Sequence, residues 1–209
     1  RPATPKHLMM TSQVTQVTKP HQFHPNYLWK TQYDFNYEGS PLQTHCGQLL
    51  DHTGRSSVLE TGNAFSTAGN LQQSPHHWEI LEDFLVWMQA QIIPIWDHWN
   101  YFPCMPQPFN SWVNLHKRGG ETLEHYHSPC PLVVSCYLKC PPNSGNFLVR
   151  DPFEYHLFGT PSEPQEKLWT EIPVQTNDIL IFPGWLKHKT QPNETDEDRI
   201  VLTLNYEGN

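Results

Sequence analysis

From Phe109 onward, short runs of β-branched and aromatic residues alternate with Gly, Pro and Asn, a punctuation that few folds other than antiparallel β can use. It predicts strands over 109–117, 132–140, 146–150, 169–174, 178–183 and 199–206, the series expected of a sandwich or jelly roll. Side chains alternate across a strand. In the last run Arg199, Thr203 and Asn205 therefore share one face, opposite Ile200, Leu202 and Leu204. A polar face of that kind is either a wet outer surface or the wall of a pocket, and periodicity does not choose. Ser135 and Tyr137 share a side of the second strand, as Trp112 and Asn114 do of the first.

The N-terminal half is less regular. Residues 1–26 are polar, with a thin strand signal in TSQVTQVT (11–18), and 27–37 is an aromatic-rich strand candidate. Residues 38–73 carry five glycines among polar residues and read as loops with one short strand near SSVLE (56–60). One helix is predicted over 74–93. Ser74-Pro75 supplies the start signal, Leu81, Phe84, Leu85, Met88 and Ile92 form the apolar stripe, and Pro94 ends or kinks it. The expected architecture is one mainly β domain over 1–209, with 1–108 as a supporting region and 109–207 as the jelly-roll core.

A chain of 209 residues can bury a core without staples. Its formal charge of −8 argues against nucleic acid or an anionic membrane as partner. There is no apolar run of about 18 residues to span a bilayer, and the first residues lack a signal-peptide core. Five cysteines without a Cys-x-x-Cys pair suggest free thiols, and hence a cytoplasmic protein. A homodimer is compatible with all of this.

His125 and His127 are two apart. In an extended segment they face the same way, roughly 6–7 Å apart along the backbone, with Glu124 and Tyr126 turned away. Two imidazoles on one side, joined by a histidine from a distant strand, can hold a metal while leaving its far side open. Thirteen histidines make a chance His-x-His ordinary, so the pair alone proves little. Asp151 is a further carboxylate within sequence reach, while His116, His156 and the His76-His77 pair read as solvated.

The ordered set W-x-N (112–114), H-x-H (125–127), YLKCP (137–141), Gly145, DP (151–152), FPGWLKH (182–188), QPN (191–193) and RIVLTLN (199–205) resembles the 2-oxoglutarate/Fe(II) oxygenases related to prolyl hydroxylases. The resemblance covers roughly the last hundred residues. It implies a cupin-like double-stranded β-helix with flanking helices from the N-terminal half. It also implies Fe(II) on His125, His127 and His188, with 2-oxoglutarate as co-substrate and O2 as oxidant. Arg199 and Tyr137 would hold the distal carboxylate, and Asn114 would face the metal, the keto-acid end or the substrate. The implied reaction is hydroxylation of a C–H bond in a peptide or small molecule. His127 departs from the wider family, where a carboxylate stands, and three neutral imidazoles also suit zinc or copper. The competing expectation is a three-histidine metal module of the cupin kind without keto-acid chemistry.

Overall fold

The structure, a computed structural model, describes residues 28–69, 73–101, 104–154 and 168–208. In chain order its elements are β1 (Trp29–Gln32), α1 (Pro41–Thr53), β2 (Glu60–Thr61), β3 (Ala64–Ser66), α2 (Glu82–His98) and β4 (Pro106–His116). There follow β5 (Glu121–Thr122), β6 (Leu132–Lys139), β7 (Phe147–Arg150), β8 (Trp169–Ile172), β9 (Asp178–Pro183), β10 (His188–Thr190) and β11 (Arg199–Gly208). The 11–18 segment and His156 lie outside the described residues.

Six strands form the major sheet, in the order β1-β9-β6-β11-β4-β3, every pair antiparallel. A minor sheet, β10-β7-β8, and the two-stranded ribbon β2-β5 complete the jelly roll. Period-two alternation sorts the major sheet cleanly. Leu132, Val134, Cys136 and Leu138 of β6, Ile179 and Ile181 of β9, and Ile200, Leu202 and Leu204 of β11 join one core cluster. Phe84, Met88, Ile92 and Trp96 of α2 and Leu42, Cys46 and Leu49 of α1 pack against it, so both helices cover the sheet's outer face. Each such aliphatic side chain stabilises the fold by about 1.5–3 kcal/mol on burial. The opposite faces, with Val133, Tyr137, Leu180, Phe182 and Val201, meet Phe147 of the minor sheet. The polar face of β11 is thus turned inward, which decides between the two readings its alternation left open.

Two expectations for the N-terminal half need correction. Part of the 38–73 stretch is not loop but α1, capped by the Ser40 hydroxyl accepting from the Gln43 N–H at 3.3 Å, with Pro41 in the first turn. Its buried Leu42, Cys46 and Leu49 do recur at helical spacing, a signal obscured by the glycines and polar residues between them. The start signal at Ser74-Pro75 opens only a 3₁₀ turn, Pro75–His77, then a second, Glu79–Leu81, before α2 begins at Glu82. Nor does Pro94 end the helix. α2 runs through it to His98, with Ile92, Ile95 and Trp96 buried around the lost backbone bond. No described helix is long and apolar enough to cross a membrane.

Candidate metal centre and its cavity

His125 and His188 face each other as an isolated antiparallel bridge, exchanging two backbone hydrogen bonds of 3.0 Å. The His127 N–H donates to the Gly184 carbonyl at 2.7 Å. Residues 125–127 are therefore not a regular strand, though the two imidazoles do share a side. Gly184, in the FPGW turn, is required by close approach. A Cβ there would overlap the Cys130 carbonyl oxygen and meet that of His127 at 2.6 Å.

One ring nitrogen from each of His125, His127 and His188 falls within a single group no wider than 4.8 Å. The other nitrogen of every ring is already committed. Nδ1 of His125 donates to the Leu123 carbonyl at 2.8 Å, and Nδ1 of His188 to that of Leu186 at 2.7 Å. Nδ1 of His127 donates to the Asn205 side-chain oxygen at 2.8 Å. These partners fix the tautomer and leave each Nε2 as a bare lone pair. The Nε2 atoms of His125 and His127 stand 3.2 Å apart. Burial, and then the charge of His125, push His127 down to about 4 against the Asn205 hydrogen bond. Burial likewise lowers His125, and burial followed by the charges of both neighbours lowers His188. Three neutral nitrogen donors converge with no proton between them. That donor set fits a divalent transition-metal ion. Trp112 stacks on His127 (5.5 Å, 24°) and Phe147 on His188 (5.1 Å, 26°), holding the ring planes.

The triad lines a cavity of about 520 Å³ between the sheets. Asn110, Trp112 and Asn114 of β4, Tyr137 of β6 and Thr203 of β11 share its wall, and half-exposed Tyr126 reaches it as well. The side-chain oxygens of Asn110 and Asn114 are buried without a hydrogen-bond partner. A stranded amide oxygen costs about 1–3 kcal/mol, which a ligand donating to it would relieve. Among the described lining residues Glu60 is the one carboxylate, and there is no Lys or Arg.

Arg199 is fully buried beside Tyr137, whose burial-raised pKa its charge opposes. It is not on the cavity wall. Nε donates to His116 Nδ1 at 3.3 Å, and Nη1 to the Ser144 carbonyl and to that of Gly145 at 3.1 Å. Nη2 donates to the Thr190 hydroxyl at 3.1 Å and the Gln191 carbonyl at 3.0 Å. All five guanidinium hydrogens are thereby engaged within the protein, where the family resemblance implied contact with the co-substrate's distal carboxylate. His116, expected to be solvated, is buried against this arginine. Asp151 lies outside the metal-competent group. Its carboxylate accepts from the Phe153 N–H at 2.8 Å. Thr122 and Thr190 also line the cavity, and they carried no sequence signal because β5 and β10 are too short to show a pattern.

Residues 110–205 match the model of a 2OG-Fe(II) oxygenase family. The match lies within the jelly-roll part of this chain, from β4 to β11. The oxygenase fold reaches beyond the matched residues. The chain superposes on a prolyl-4-hydroxylase of Pseudomonas putida with a TM-score of 0.59, at 11% identity, over 87% of this chain and 92% of that one. It also resembles the non-haem alpha-ketoglutarate-dependent epimerase SnoN from nogalamycin biosynthesis (TM-score 0.60, 16% identity, 88% and 78% covered). A third likeness is HygX of Streptomyces hygroscopicus, solved with nickel and 2-oxoglutarate (TM-score 0.55, 12% identity, 87% and 82% covered). Among curated proteins, a 38-residue stretch is 42% identical to the methylphosphonate hydroxylase of Gimesia maris. That stretch spans 18% of this chain and 15% of its relative's length.

Proposed function

We propose that this chain is a 2-oxoglutarate- and Fe(II)-dependent dioxygenase that hydroxylates a C–H bond of a small organic molecule or a peptide side chain. The observation that carries the reading is the converging set of bare Nε2 atoms on His125, His127 and His188, each with its Nδ1 held by a hydrogen bond. Iron bound there, with 2-oxoglutarate and O2, supplies oxidative decarboxylation to succinate and CO2 coupled to oxygen insertion. The protein's own part is positional. The three histidines would hold the ion from one side, and the cavity leaves the other side free. Trp112 and Phe147 keep the imidazoles planted and dry. Asn114 and Tyr137 present polar groups to the co-substrate, while Arg199 sets a positive charge at the far end. Half-exposed Tyr126 offers an aromatic lip for the substrate. The formal charge of −8 disfavours nucleic acid as substrate, and five free cysteines suit a reducing cytoplasm.

The test is an oxygen-free titration of Fe(II), then 2-oxoglutarate. One iron per chain should bind, and a metal-to-ligand charge-transfer band should appear only when both are present. His188→Ala should lose both signals. One observation favours a second reading, a three-histidine metal module without keto-acid chemistry: the hydrogens of Arg199 are all spent inside the protein. In that case the metal binds and the band never appears.

A further inference from the structure

Glu60 brings a carboxylate to the cavity wall, and the ribbon β2-β5 fixes its direction. It is the Cα partner of Thr122, so the two side chains share the face turned inward. The ribbon is held beyond them by the Leu123 N–H donating to the Leu59 carbonyl at 2.7 Å. Glu60 is 8% exposed. Among the described residues the Ser57 hydroxyl is its one side-chain hydrogen-bond donor, and none of their ion pairs includes it. A carboxylate can accept at about four lone-pair sites. Burying one without an opposite charge is costly, and a bound cation removes much of that cost.

The neighbouring charges do not supply that cation. Arg199 stands off the cavity wall, and the carboxylate whose charge acts on it is Glu121, not Glu60. Arg150 is taken by Glu124 and Glu154, each at 2.7 Å. His116 and the triad are neutral imidazoles. Iron(II) and dianionic 2-oxoglutarate cancel each other's charge, so the loaded cavity keeps the one negative charge of Glu60. Its carboxylate also lies outside the metal-competent group, which leaves it to the substrate side. The unpartnered amide oxygens of Asn110 and Asn114 are further acceptors on this wall. An ammonium group offers three N–H donors and one positive charge. Phe109, Trp112 and Tyr126 give its carbon skeleton an apolar wall, and about 520 Å³ is the size of a small-molecule site.

We propose that the substrate is a small organic molecule carrying an ammonium group, and that Glu60 is the residue that selects it by pairing with the positive nitrogen inside the cavity. This rests on the oxygenase reading above. Ser57 is a positioning residue here, since its hydroxyl holds the Glu60 carboxylate in place. The same wall, with no Lys or Arg among its described residues, disfavours an anionic substrate.

The experiment is calorimetry without oxygen on the Fe(II)-loaded protein, with and without 2-oxoglutarate. The probes are n-pentylammonium, 1-pentanol and pentane-1-sulfonate, which share a carbon chain and differ in charge. Wild type should bind n-pentylammonium about tenfold more tightly than the other two, the scale of a hydrogen bond to a charged group. Glu60→Gln keeps the shape and should erase that preference, with Fe(II) and 2-oxoglutarate affinities unchanged. Glu60→Asp keeps the charge and should retain part of the preference, which separates the loss of charge from a variant that folds poorly. A wild type that binds the three probes alike, or a Glu60→Gln variant that still prefers the ammonium, would overturn the proposal. So would a Glu60→Gln variant that loses Fe(II), which would assign the carboxylate to the metal. A metal-loaded wild type that binds no 2-oxoglutarate would instead remove the oxygenase reading, while the arm without keto acid still decides what Glu60 selects.

Discussion

His127 and Asn205 share a hydrogen bond of 2.8 Å that ties an irregular segment to β11 and decides which nitrogen of His127 is free. Without it the ring can flip or carry its proton on Nε2. Asn205→Leu should therefore weaken metal binding roughly 10–100-fold, the usual cost of losing a partner behind a metal-bound imidazole. Competition against a chromophoric chelator measures this directly, and an unchanged affinity would show that Trp112 stacking alone orients the ring.

Gly184→Ala should do damage in two ways. The new methyl overlaps the Cys130 carbonyl and pushes on that of His127, so the unfolding midpoint in urea should fall together with metal stoichiometry. Gly39→Ala is the control. Gly39 has φ +74° but nothing within 4 Å of its would-be Cβ. Only backbone strain, about 1–2 kcal/mol, should appear there.

Leu202 is wholly buried under the helices, and Leu202→Ala should cost about 2–5 kcal/mol in denaturant unfolding. The 2.7 Å pair between Arg150 and Glu124 lies near the surface. Glu124→Ala should cost no more than about 1 kcal/mol. A reversal of that order would mean the outer-face core is not the main source of stability.

Stability should fall on the acid side. Burial, and then the charge of His77, push His76 down to about 4, and His116 is held well below its ordinary value. In the unfolded chain both titrate near 6.5. Between those values the unfolded chain binds more protons, so folding stability is full above about pH 6.5 and declines toward about pH 4. Melting curves of chelator-treated protein across that range should show a steady drop, and a flat profile would contradict the assignment.

The longer strands β4, β6, β7, β8, β9 and β11 were legible because alternation is strong wherever one face is greasy, and their predicted limits fall within a few residues of those observed. The histidine triad was legible from spacing and family resemblance together. What sequence could not supply was direction. A polar face over solvent and one over a pocket have the same period, so the inward turn of β11 needed the sheet order. His116 looked solvated because a lone histidine in a mixed strand carries no sign of the arginine that pairs with it 83 residues later. The two-residue strand β5 brings Thr122 to the site with no pattern at all.

The bridge between His125 and His188 is only two backbone hydrogen bonds wide. An ion held by the triad would add a cross-link between residues 127 and 188, closing a loop of 188 − 127 = 61 residues. Such a clip restricts the unfolded chain far more than any single contact at the mouth does. Loss of the ion would then loosen the ends of both sheets together. Resistance to proteases thus becomes a gauge of metal content, readable before any substrate is known.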